Sequence, residues 1–273
     1  FKVTLPCLLI QDLMNTDFRQ EFDGKYILYC MLVTSLCFFA TWTLAKAFLK
    51  DKSLVPEFVQ GSFRGSAAVL GTAFVLNMYG DTGMVPLMII GAVPLYNIYS
   101  VIVLTIESPR REEIEGSPVK NTIKGIATNP IIIGIVVGLL LSIFRVDFPL
   151  MIDNTIGNIA KMATPLALLA IGGSFEFSNA LKKMGPAVTG SAIKLVIMAA
   201  VFLPVAVWLG YRDAKLMALV IMLGSPTTPS CYIMAKNMKC DGTLTSSMVV
   251  ITTMMSAFTI TLIVFVLRTL GYL

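Results

Sequence analysis

Pro226 and Pro229 stand three residues apart in the run Gly224-Ser225-Pro226-Thr227-Thr228-Pro229-Ser230, inside an otherwise apolar stretch. Proline has no N–H and its ring collides with the preceding helical turn, so this pair predicts a broken helix. At membrane depth the freed polar groups need a lining of protein or water. Half-helix N-termini there aim N–H donors and partial positive charge into the cavity, which suits an anion. Ser225, Thr227, Thr228, Pro229 and Ser230 are therefore candidate substrate-binding residues. A second weak stretch, Gly61-Ser62-Phe63-Arg64-Gly65-Ser66 followed by Gly71-Thr72, adds Gly65, Ser66 and Gly71. The competing reading is a kinked helix packed through small residues. Weakening at two corresponding places favours a functional break.

Arg64, Lys161 and Lys194 sit within or at the edge of apolar segments. A charge at the bilayer centre costs about 2.5–3.5 kcal/mol on insertion scales, so each asks for a reason. Lys161 lies four residues before Pro165, one helical turn away on the same face, and with Thr164 can meet a substrate carboxylate. Snorkelling to the interface is the alternative. Lys194 is close enough to a cytoplasmic segment end to snorkel, and Arg64 is expected at the cytoplasmic rim. Asn97, in Pro94-Leu95-Tyr96-Asn97, and Thr253, with Ser256 and Thr259 on one helical face, could line a pocket or bond neighbouring helices. Asp12 is the one carboxylate expected inside an apolar block, near its outer end, which leaves the coupling ion open.

The elements that position these residues are membrane helices. Apolar residues make up 56% of the 273, charged ones only 14%, and mean hydropathy is +0.81. Nearly charge-free runs recur with close to the ~20 residues a ~30 Å hydrocarbon core requires. A soluble helical protein would need polar faces these runs lack. Nine segments are predicted, near 1–14, 26–48, 58–79, 84–106, 130–144, 151–174, 186–208, 214–236 and 243–267. The five cysteines follow no zinc or CxxC spacing and read as buried free thiols. With no histidine and no paired carboxylates, an intramembrane enzyme is the least supported class, and no cofactor or metal is implied. The net charge of +5 forms no continuous basic stripe, which argues against nucleic acid as a partner.

The two halves repeat at an offset near 160 residues: Pro6 aligns with Pro165, Asp17-Phe18 with Glu176-Phe177, Asn77-Met78 with Asn237-Met238, and Asp81 with Asp241. The second copy has a helix at 130–144 with no counterpart before Phe1. The repeat thus predicts that the first helix is absent from this chain and that the parent protein has ten. An odd number of helices per copy inserts the copies in opposite senses, an architecture recurrent in secondary transporters. The expected organisation is a first inverted repeat at 1–106, a hydrophilic linker at 107–124 and a second inverted repeat at 125–273. Lys46, Lys50, Lys52, Arg110, Arg111, Lys120, Lys124, Lys182, Lys183, Lys236 and Lys239 fall on one side. Arg19, Lys25, Arg145, Arg212, Lys215 and Arg268 fall on the other. Positive charge concentrates inside, so the linker is expected in the cytoplasm and the C-terminus outside.

Asn129-Pro130-Ile131-Ile132-Ile133-Gly134-Ile135-Val136-Val137-Gly138-Leu139-Leu140-Leu141-Ser142 resembles the start of the second half of the auxin efflux carrier family. Gly157-Asn158, the run from Thr164 to Ser174, Lys194-Leu195 and Thr252-Thr253 fit as well. In the first half so do Gln60-Gly61-Ser62-Phe63-Arg64 and Met78-Tyr79-Gly80. The resemblance implies an all-α membrane protein, a helical bundle of two inverted five-helix repeats with a scaffold, a transport domain and crossed broken helices at 58–79 and 214–236. It also implies relatives that are permeases for malate, malonate and similar anions, or exporters of auxin. Family members usually carry Asn after the Phe-Arg pair and Pro shortly after the Leu-Gly; here Gly65 and Thr72 or Ala73 stand there.

The leading expectation is a secondary transporter in the cell membrane, moving a small organic anion such as a dicarboxylate or auxin-like acid by alternating access. A transporter-like sensor domain that binds without transport, and a sodium-coupled symporter of related fold, are the alternatives. The bilayer and the anion are the expected partners, with a homodimer compatible with the fold.

Overall fold

The computed structural model describes residues 3–14, 23–80, 84–107, 130–144, 146, 148–174 and 177–273. Among them every regular element is helical. In chain order these are α1 (Thr4–Met14), α2 (Gly24–Phe48), α3 (Val55–Phe63), α4 (Ala67–Tyr79), α5 (Val85–Ile106) and α6 (Pro130–Phe144). They continue as α7 (Leu150–Lys161), α8 (Ala163–Ser174), α9 (Phe177–Lys182), α10 (Met184–Ala192) and α11 (Met198–Trp208). The last three are α12 (Asp213–Gly224), α13 (Ser230–Asn237) and α14 (Thr243–Thr269). A 3₁₀ turn, Lys52–Leu54, leads into α3, and one π turn, Ile193–Ile197, joins α10 to α11. The expected linker, beyond Glu107, and the repeat positions Asp17, Asp81 and Glu176 lie outside the described residues, as does the side chain of Asp12.

Among the described residues, five stretches are long and apolar enough to cross a bilayer: Gly24–Phe48, Val85–Ile106, Leu150–Gly173, Met184–Trp208 and Thr243–Thr269. Their outer faces are apolar too, with Phe258 71% and Trp208 83% exposed. Such faces belong against lipid, because water would reject patches of that extent. The protein is an all-α, multi-pass membrane protein.

Packing divides the helices into two groups. A smaller bundle joins α1 to α6, α7 and α8, while a larger one gathers α2–α5 with α10–α14. They touch where α5 meets α6 and where α8 meets α13. In the larger bundle Phe38 of α2 stacks on Tyr99 of α5, centroids 4.4 Å apart, and meets Phe63 edge-on at 5.2 Å. Phe63 is the last residue of α3, so this aromatic cluster anchors the helix end that precedes the first break.

Two carboxylates fix helix starts. Asp23 accepts the Tyr26 N–H at 3.1 Å, capping α2, and takes the Lys215 ammonium at 2.9 Å from the first turn of α12. The Lys215 hydrogen bond, then the Tyr26 N–H, hold the Asp23 carboxyl below its ordinary value of 3.8. Glu57, in the first turn of α3, is 1% exposed. It accepts the Gly242 N–H at 2.8 Å, and the Thr245 N–H and hydroxyl at 2.9 Å each. These are orphan donors at the start of α14, which no intrahelical carbonyl can serve.

Glu57→Ala leaves three buried donors unpaired and should cost roughly 3 kcal/mol. A thermal melt in detergent should show it, with Glu57→Gln falling between; an unchanged melt removes Glu57 as the anchor of α14. Asp23 has a lowered folded-state pKa, so its contribution is present above the ordinary carboxylate range and fades as pH falls through its folded value. The melting difference between wild type and Asp23→Asn should be constant at neutral pH and close below pH 3.8.

Candidate functional site

Both predicted breaks exist and they cross. The helix α3 ends at Phe63 with Arg64 extended, and α4 begins after Ser66. In the second, α12 ends at Gly224 with Ser225 extended, as a residue before proline must be, and α13 begins after Pro229. Each break supplies what the other lacks. The Ser66 N–H, which a continuous helix would give to Ser62, donates to the Pro226 carbonyl at 2.9 Å. The Thr227 hydroxyl donates to the Gly61 carbonyl at 2.7 Å, and the Thr227 N–H to Thr252 Oγ1 on α14 at 3.0 Å. Arg64 Nη2 donates to Ser230 Oγ at 2.9 Å.

The prolines also create the charge arrangement. In a continuous helix the Met222 carbonyl would accept from residue 226, but Pro226 has no N–H to give. The Lys194 ammonium takes that place, donating to Met222 at 3.2 Å and to Leu223 at 3.0 Å, and the Tyr96 hydroxyl also donates to Met222 at 3.2 Å. Lys194 is fully buried. It lies in the π turn 193–197, an irregularity often found at functional sites. Among the described residues its only bonds are to these two carbonyls, and it is in no ion pair. Carbonyls at a helix C-terminus favour a cation, though each carries only partial charge.

Gly65 completes the meeting point. A methyl at position 65 would stand 2.4 Å from Ser225 Oγ and 2.9 Å from Lys194 Nζ, so only main chain fits between them. Among the described residues Ser225 Oγ is buried without a hydrogen-bond partner, as are Gln60 Oε1, Ser62 Oγ and Asn97 Oδ1. Buried polar atoms of this kind are rare enough in native folds to require an explanation. In this conformation the meeting point is closed; its donors and ammonium suit a small anionic or hydrogen-bonding guest that enters where the two breaks part. No described cluster of Cys, Asp or Glu could hold a metal ion.

A family model described as membrane transport protein matches residues 1–264. The chain belongs to that family of transporters. It is a family of transporters rather than enzymes. No curated protein matches the sequence.

In this transporter the crossing gathers Gly65, Ser66, Ser225, Thr227 and Ser230, with Thr228 bonded to Ser230 at 3.0 Å and Pro229 capping α13. Asn97 is buried on α5, its amide donating to the Val93 carbonyl at 3.0 Å. Gly71 lies further along α4, where a methyl would press on Met88 at 3.1 Å, so it spaces α4 from α5. Lys161 and Thr164 are exposed on the smaller bundle, and nothing described ties either to the crossing. Thr253 is exposed, and its hydroxyl donates to the Val249 carbonyl of its own helix. Its neighbour Thr252 is the residue that faces Thr227.

Two expectations about cations are corrected. Lys194 does not snorkel, because carbonyls freed by Pro226 hold it in the interior. Arg64 is not at a rim; it is 5% exposed and lies between Ser230 Oγ and Met234 Sδ. Sequence reasoning also passed over Glu57, and it named Gln60 and Thr252 only as carriers of the family resemblance. A signal for Glu57 existed, since an acid directly after Pro56 opens a helix in an apolar stretch.

Gly65→Ala should destabilise the protein by about 1–3 kcal/mol through overpacking. Adding Ser225→Ala removes the nearest clash and should return part of the lost melting temperature. A double variant no more stable than Gly65→Ala alone contradicts this crossing geometry.

Proposed function

We propose that this transporter is a secondary carrier for a small organic anion, a dicarboxylate or an auxin-like acid, whose carboxylate binds at the crossing when its two breaks part. The observation that carries this is the meeting of the Lys194 ammonium, the Ser225 hydroxyl and the Gly65 main chain at one buried point. A buried cation served by main-chain carbonyls alone is costly, and a full negative charge beside it offsets that cost. Ser225, without a partner, can turn its proton toward the same carboxylate. Arg64 on the other side of the crossing supplies a second positive charge, which favours a guest with two carboxylates.

Movement follows from the two bundles. The larger carries the crossing and rocks against the smaller, with 1–106 and 125–273 as inverted repeats and 107–124 as a cytoplasmic linker. Matching breaks at 64–66 and 225–229 and the offset near 160 residues support the repeat. The lysine and arginine bias supports a cell-membrane protein with its C-terminus outside.

Uptake of labelled malate and of an indole acid into proteoliposomes tests the reading. Lys194→Met and Ser225→Ala should each lower uptake, Lys194→Met by tenfold or more, since a charge-assisted bond is worth about 1.5–3 kcal/mol. Both variants should stay monodisperse. Replacing sodium with choline should change nothing; loss of uptake would favour the sodium-coupled reading. Binding without accumulation would favour a sensor, and full uptake by Lys194→Met would remove the crossing as the site.

A further inference from the structure

A cavity of about 700 Å³ opens where the end of α2 and the start of α3 face α9 and α10. It contains none of the residues at the crossing. Leu44, Phe48, Leu54, Phe58 and Ile193 make its floor apolar. Lys50, Lys182 and Lys183 stand on its rim with Asp51.

The charges are arranged for a negative guest. Among the described residues Lys50 and Lys182 are exposed and in no ion pair, while Lys183 is paired with Asp241. Asp51 is the carboxylate that could repel such a guest. It is already engaged by the Ser53 hydroxyl at 2.6 Å and the Ser53 N–H at 3.0 Å. Position matters equally. The spanning stretch of α2 ends at Phe48 and that of α10 begins at Met184, so the lysines fall at the ends of spans, at headgroup level. Phe48 is 79% exposed, which carries the apolar floor out toward the lipid.

The geometry points to a binding site for an anionic phospholipid, its phosphate between Lys50 and Lys182 and an acyl chain along Phe48 and Leu44. A zwitterionic lipid brings no net charge to those lysines, and a soluble phosphate leaves the apolar floor bare. Basic pockets between membrane helices recognise anionic headgroups on this principle. The occupant would also touch one helix of the crossing and the turn that carries its lysine. Phe58 belongs to α3, which ends at the first break, and Ile193 opens the π turn that carries Lys194. Lipid here therefore stiffens the crossing from outside.

Thermal melts of the full chain in detergent test this without reference to transport. Phosphatidylglycerol at saturating concentration should raise the melting temperature by roughly 3 °C. Phosphatidylcholine with the same acyl chains should not. Lys50→Gln with Lys182→Gln should abolish the difference while leaving the lipid-free melting temperature in place. Native mass spectrometry should show one phosphatidylglycerol retained by wild type and lost from the double variant. Equal shifts with both lipids, or an undiminished shift in the double variant, would overturn the site. A similar shift with glycerol 3-phosphate alone would replace the lipid with a soluble phosphate and overturn it also.

Discussion

Inside a bilayer a peptide group that leaves its helix must find a new partner, because no water is there to take its place. Two helices of this protein stop and restart within the larger bundle, and the crossing exists because each break meets that demand for the other. Ser66 gives its N–H to Pro226, and Thr227 reaches the Gly61 carbonyl. Neither break would be tolerable alone. Their mutual satisfaction fixes how closely α3 and α12 approach, and it forces glycine at position 65, where the Ser225 hydroxyl and the Lys194 ammonium leave no room for a side chain.

The same constraint explains the buried charge. Prolines subtract donors, so the end of α12 presents carbonyls that its own chain cannot serve. Lys194 and Tyr96 serve them, and the π turn in the facing helix gives Lys194 its place. A positive group thus becomes part of the architecture before any ligand arrives. Glu57 does the corresponding work at the opposite polarity, collecting unpaired N–H groups where α14 begins. The α14 helix then presents Thr252 to the Thr227 N–H. From capped helix start to crossing, one set of orphan backbone groups links the parts.

The long apolar spans and the break at Pro226 and Pro229 were legible in the sequence, since hydropathy and proline chemistry act locally. The break after Arg64 was legible through its glycines and its correspondence to the second. What the sequence hid depends on rotation and depth. Hydroxyls at Thr253, Ser256 and Thr259 share a face, but spacing alone does not say which face turns inward; Thr252 does. Lys194 lies near a segment end, where snorkelling is the ordinary outcome. Only the carbonyls freed on a different helix, 28 residues away in the chain, reverse that. Lys161, deeper in its apolar segment, reads as the partner for a carboxylate, yet it belongs to the smaller bundle and is exposed. Tertiary placement reverses the order in which sequence ranks the two lysines.

The central claim is that the crossing, closed around Gly65 in this conformation, opens to hold a carboxylate between Lys194 and Ser225. A crystal soaked with a bromine-labelled dicarboxylate locates the guest by anomalous scattering. The account predicts a bromine peak within the larger bundle, with the carboxylate in contact with Lys194 Nζ and Ser225 Oγ. A peak against the smaller bundle, or residues 224–230 as uninterrupted helix, would contradict it.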